Sequence, residues 1–141
     1  MHKVSIIKRI MQWGFDRGFD KIEYSHSGCI TNQLEEMFER TRKITNESAR
    51  SFSKSIVSTW FVEDNRIKEH EIIDSMADQI VFLINDMSKL GYDAEKVLAE
   101  CYKEINSRTG DWSEAEQKWV KDKSKKARAK WCEADYSGCK L

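Results

Sequence analysis

The chain has 141 residues, with 24 Lys and Arg against 24 Asp and Glu, a formal net charge of zero, no proline and 6 glycines. This composition excludes collagen-like and low-complexity chains and disfavours a turn-rich β-sandwich or barrel, while a hydrophobic share of 40% still permits a core. An all-α fold with long, unbroken helices is the expectation. The first helix is expected over Ser5 to about Arg17, with Ile6, Ile7, Ile10, Met11 and Phe15 as its apolar stripe and Gly18 as its stop. Residues 18–30 read as a polar loop. Thr31 or Asn32 then caps a second helix that reaches about Ile44, with Leu34, Met37, Phe38 and Ile44 on one face. Thr45-Asn46-Glu47 reads as a break before a weaker helix, Ala49 to Glu63, which turns Phe52, Ile56, Trp60 and Phe61 inward. After a second break at Asp64-Asn65, the strongest segment runs from about Ile67 to Leu90 and ends on Gly91 as a left-handed cap. Asp93 caps the next helix, to about Ser107, with Ala94, Val97, Leu98, Cys101 and Ile105 aligned. Thr109-Gly110-Asp111 is a hinge. The charged remainder is expected to be partly helical from Ser113 to Ala134, with Trp112, Trp119 and Trp131 docking it.

Four cysteines (Cys29, Cys101, Cys132 and Cys139) fall below the density of a disulfide scaffold. Lys3, Lys8 and Arg9 interrupt the stretch from Met1 to Met11, so it does not read as a secretory signal. No apolar run approaches the roughly 20 residues of a membrane span. The expectation is a cytoplasmic chain with reduced thiols and no membrane contact. His26 and Cys29 have no second pair at zinc spacing, since Cys132 and Cys139 stand too far apart.

Acids gather on two of the expected helices. Glu36 and Glu39 share a face of the second helix, with Glu35 beside Glu39. Glu71, Asp74 and Asp78 lie within about 60° of one another on the long helix. Two such helices facing each other make an oxygen-only cage, the ligand set that Mg²⁺ prefers. The plainer alternative is a solvated face, on which Glu36 with Arg40 and Glu39 with Lys43 form i,i+4 pairs. Against it, Val81 and Phe82 make the long helix apolar nearly all round between Ile80 and Ile84, the pattern of a helix buried on both sides.

Zero net charge argues against binding nucleic acid over the whole surface. The balance is uneven, however, because Lys118 to Lys130 holds seven basic residues and one acid, Asp122. That run reads as a solvated or docked segment. The minority reading is nucleic-acid contact through residues 118–131, with lysines on phosphates and Trp119 and Trp131 stacking.

The motifs resemble the MazG-like all-α nucleoside triphosphate pyrophosphohydrolases, especially small bacteriophage-encoded members. Glu35-Glu36-Met37-Phe38-Glu39 is similar to that family's Glu-Glu-x-x-Glu motif. The run from Asp78 to Asp86 is similar to the stretch after the family's final Asp, and Leu90-Gly91-Tyr92-Asp93 to its next turn. Gln12-Trp13 and Asp16-Arg17-Gly18 resemble the opening helix of phage members, and Lys103 to Arg108 the closing Asn/Arg segment. The likeness covers residues 5–110, and the tail is similar only to phage members. In one register Ser75 stands where the family has Glu, with Asp74 one position earlier. In the other, Glu71-Ile72-Ile73-Asp74 is itself the motif and Asp78 an additional acid.

The resemblance implies a helical bundle of the pyrophosphohydrolase type over 1–110 and a basic, Trp-containing extension over 111–141. The activity it implies is Mg²⁺-dependent hydrolysis of (deoxy)nucleoside triphosphates to monophosphate and pyrophosphate, with Mn²⁺ as an alternative ion. Glu36, Glu39, Asp74, Asp78 and Glu71 are then metal ligands, and Glu35 or Glu39 handles the attacking water. Trp13, Arg17, Lys103, Asn106 and Arg108 contact the nucleotide, Trp13 by stacking. A homodimer or homotetramer in the cytoplasm, the host's if phage-encoded, completes the expectation. The rival is a catalytically weak or inactive helical phage protein that binds a nucleotide, host protein or nucleic acid.

Overall fold

A computed structural model describes residues 3–40, 46–60 and 66–141, the side chains of Asn46, Glu47 and Trp60 excepted. These residues are mostly helical, with one two-stranded sheet. The expected positions of Ile44, Phe61, Lys43 and the Asp64-Asn65 break, and the inward-facing side chain of Trp60, lie outside the described residues. The chain divides into two compact units, Met1–Ile22 with Ile73–Leu141 and, between them in sequence, Glu23–Ile72.

In the first unit, α1 spans Ile6–Asp16, its N-terminus capped by Ser5, whose Oγ accepts from the Lys8 amide at 3.3 Å. Helix α4, Glu69–Lys89, straddles the division and ends at Gly91, whose φ of 84° is the left-handed cap expected from the sequence. Helix α5, Ala94–Ser107, starts where expected because Asp93 Oδ1 accepts from the Glu95 and Lys96 amides. Helices α1 and α5 pack together.

The tail departs from the expected helix. Gly110–Ser113 (β1) and Lys118–Lys121 (β2) form an antiparallel hairpin in which Trp112 pairs with Trp119 and Gly110 with Lys121. Burial in β2 alternates with period two, so Trp119 and Lys121 turn inward while Lys118 and Val120 face out. The intervening Glu-Ala-Glu-Gln favours helix by propensity, but the cross-strand Trp pair and the β-preferring Val120 override it. A single helical turn, α6 (Lys125–Arg128), follows, capped by Ser124. The final residues strap onto α5. Glu104 accepts from the Ala134 amide at 2.6 Å, and Ser107 Oγ accepts from the Cys132 amide at 3.0 Å. At the chain's end the Asp93 amide donates to the Cys139 carbonyl and the Leu141 amide to the Gly91 carbonyl.

The second unit is a helix pair. Helix α2 spans His26–Glu39 and α3 spans Asn46–Trp60, packed through Phe38 and Phe52 with ring centroids 5.0 Å apart. Helix α2 begins well before the expected Thr31, because Ser25 acts as the cap and accepts from the Gly28 amide. The segment 18–30 is therefore only partly a loop.

Burial is sparse. Among the described residues the core comprises Ala49, Val57, Ala127 and Cys139, together with polar Thr31 and Ser53. Ile73, Ile80, Val81, Phe82, Leu83 and Ile84 of α4 are exposed, Phe82 at 69%.

Candidate functional site

Three residues expected to contact a nucleotide converge in the first unit. Arg17, at the end of α1, lies over the Trp13 ring at 4.6 Å and the Trp119 ring at 5.0 Å. Its Nη2 donates to the backbone carbonyl of Arg108, 91 residues away, at 3.2 Å. Burial pulls the Arg17 pKa below its ordinary value, with Asp16 and Tyr102 opposing. Arg108 itself pairs with Glu104 at 3.1 Å.

The hairpin and tail add residues that sequence patterning alone does not assign to this site. Lys121, Arg108 and Arg128 all approach the Trp131 ring, at 5.6, 5.8 and 5.7 Å. The Lys121 pKa is lowered, first by burial and then by the nearby charges of Arg108 and Lys123. Lys21 lies over Trp112 at 5.1 Å. Among the described residues, Trp13 Nε1, Arg17 Nε, Arg108 Nε and Trp131 Nε1 are buried without an acceptor. The cluster thus holds more positive charge and more donors than its own carboxylates and carbonyls answer, an imbalance that an anion corrects. The alternation that turns Lys121 inward is readable over Lys118–Lys121, but only once this segment is taken as a strand.

The other two expected contacts stand apart from this cluster. Lys103 pairs with Glu100 at 3.1 Å on the surface, and that hydrogen bond raises its pKa. Asn106 is exposed on α5.

The acidic residues lie on α2 and α4. On α2, Glu36 is held above the usual carboxylate range, first by desolvation and then by the charges of Glu39 and Glu35, with Arg40 opposing. Glu35 accepts from Arg50 at 2.7 Å. On α4, Glu71 accepts from the Lys68 amide at 2.9 Å and so serves the helix start, while Asp74 and Asp78 are exposed. Among the described residues, no three His, Cys, Asp or Glu side chains form a group that could hold a metal ion. Magnesium commonly takes one or two carboxylates and completes its shell with water and substrate phosphate, and Glu36 with Glu39 on α2 is the pair that could hold it in that way. The crowding that raises the Glu36 pKa is what a cation beside Glu36 and Glu39 would relieve. No helix among the described residues is long and apolar enough to cross a membrane.

No protein-family model, curated protein or solved structure matches the chain.

Proposed function

We propose that the protein is a nucleoside triphosphate pyrophosphohydrolase of the MazG-like all-α type. The observation that carries this reading is the meeting of Trp13, Arg17 and Arg108. Trp13 and Arg17 come from one turn of α1 and Arg108 from the end of α5, 91 positions on, and Lys121 joins Arg108 at the Trp131 ring. The guanidinium groups and the lysine would bind phosphate oxygens, and an indole face would stack on the base.

In the proposed reaction water attacks between the α and β phosphorus atoms, giving the nucleoside monophosphate and pyrophosphate. Glu36 and Glu39 would hold magnesium on α2, with Asp74 and Asp78 as the α4 pair. Bound there, the ion would neutralise phosphate charge and lower the pKa of its water. Glu35, already committed to Arg50, orients that side chain, which leaves a Glu39 carboxylate oxygen to take the proton from the attacking water.

Two observations support self-association as a homodimer or homotetramer. The described residues bury no large apolar side chain fully, and α4 exposes six apolar side chains between Ile73 and Ile84. Zero net charge removes the repulsion between copies, and the lysine-rich run complements the acidic helices of a neighbour.

The rival reading, a nucleotide-binding module without turnover, draws on Ser75 and on the absence of a three-residue metal group among the described residues. One assay separates the two. Pyrophosphate is quantified after incubating the protein with each ribo- and deoxynucleoside triphosphate and Mg²⁺. Release from at least one, abolished by Glu39→Ala and by Asp78→Ala, is expected. Nucleotide binding without pyrophosphate from any of them would establish the module instead.

A further inference from the structure

A cavity of about 560 Å³ opens inside the second unit, apart from the Trp13–Arg17–Arg108 cluster. Ser27, Thr31 and Asn32 line it on the α2 side, and Arg50, Lys54 and Val57 on the α3 side. Among the described residues neither an acid nor an aromatic ring lines it. Arg50 and Lys54 are one turn apart and share a face of α3. Arg50 is oriented at the rim, its Nη1 donating to Glu35 at 2.7 Å and to Asn32 Oδ1 at 3.4 Å. Lys54 makes no hydrogen bond or ion pair with a described residue.

The hydroxyls are largely spent. Thr31 donates to the Ser27 carbonyl and Ser58 to the Ser55 carbonyl, and Ser25 and Ser27 share one proton between oxygens 3.2 Å apart. The donors left over are the Lys54 ammonium, the remaining Arg50 N–H groups, the Asn32 amide and one serine hydroxyl. Among the described lining residues, one unpaired ammonium (Lys54), the guanidinium of Arg50 that Glu35 already pairs at the rim and a few neutral donors suit an anion with several acceptor oxygens. No ring among these described lining residues offers a nucleobase a surface to stack on.

We propose that this cavity binds a phosphate group, carried by a small non-aromatic ester or free as inorganic phosphate, with Lys54 as its principal charge partner. A phosphate anion suits these donors, Arg50 meeting it through the N–H groups not given to Glu35 and Asn32, and Lys54 as a point charge. The volume exceeds that of the ion and leaves room for a short polar alcohol. This site is independent of the proposed hydrolysis and needs no metal.

The test is calorimetric titration of the full chain with inorganic phosphate and, separately, with ribose 5-phosphate, both in the presence of EDTA. Saturable binding of at least one probe is expected, weakened about tenfold or more by Lys54→Ala and by Lys54→Gln. Lys96→Ala, on the exposed side of α5 and in neither cluster, is expected to leave it unchanged. Equal affinity for the two probes assigns the site to inorganic phosphate, and tighter binding of the ester assigns it to a phosphate ester. Failure of both probes to saturate overturns the proposal. So does binding that survives both Lys54 substitutions, or that only Lys96→Ala removes.

Discussion

Two residues carry costs that can be measured. Arg17 is a charge drawn partly out of water and offset by two indole faces and two backbone carbonyls, those of Trp13 and Arg108. Removing it vacates the space between Trp13 and Trp119. Arg17→Ala is expected to lower the unfolding free energy in urea by about 2 kcal/mol, with Arg17→Lys recovering less than half, since an ammonium lacks the planar stacking surface. Glu36 works in the opposite sense. Its raised pKa means that the folded chain holds that proton more tightly than the unfolded chain does. The associated stability is complete below the ordinary glutamate range, about pH 4, and is lost as pH rises through the raised value. At neutral pH the ionised carboxylate therefore costs stability. Without divalent ions, Glu36→Gln should raise the melting temperature at pH 7 by about 1–2 °C and leave it unchanged at pH 4. Added Mg²⁺ should stabilise the parent chain more than the variant. A residue that lowers stability for no packing reason is the usual mark of one kept for binding.

Among the elements, those governed by local chemistry are legible in the sequence. Asp93 starts α5 and Gly91 closes α4 because a carboxylate that accepts amide protons and a residue free to adopt positive φ each act within a few positions. The start of α2 is harder to read, because Ser25, Ser27 and Gly28 look like loop, yet Ser25 caps the helix. The hairpin is hidden for a different reason. The residues between its strands are good helix formers, and what defeats them is pairing between Trp112 and Trp119 across the ladder. The candidate site follows the same division. Trp13, Arg17 and Arg108 are candidates that can be named one by one, whereas the arrival of Trp119 and Lys121 beside them depends on that hairpin. Gly110 tests the dependence. A Cβ there would collide with the Val120 carbonyl oxygen and would come within 2.6 Å of the Trp119 ring. Gly110→Ala is expected to cost about 3 kcal/mol in denaturant unfolding and to shift tryptophan emission to longer wavelength as Trp119 leaves the cluster.

At the scale of the whole molecule, the exposed apolar stretch of α4 is the surface that the proposed self-association would cover. Light scattering after gel filtration is expected to give the mass of two or four protomers. Phe82→Asp, which places a charge at the most exposed of the six α4 side chains, should reduce that mass to one. The division into units also carries a temporal consequence. Helices α2 and α3 are neighbours in sequence, so their pairing closes a short loop. The packing of α1 on α5, by contrast, joins distant segments, and the Arg17 side chain reaches a carbonyl 91 positions downstream. Contacts so far apart in sequence form late. In a stopped-flow experiment on a Trp60→Phe variant, helix content should therefore rise before tryptophan fluorescence changes, because the other four tryptophans, Trp13, Trp112, Trp119 and Trp131, all belong to the unit that must wait for its own far end. Helix α1 precedes the other described helices in the chain and is expected to be among the last to settle.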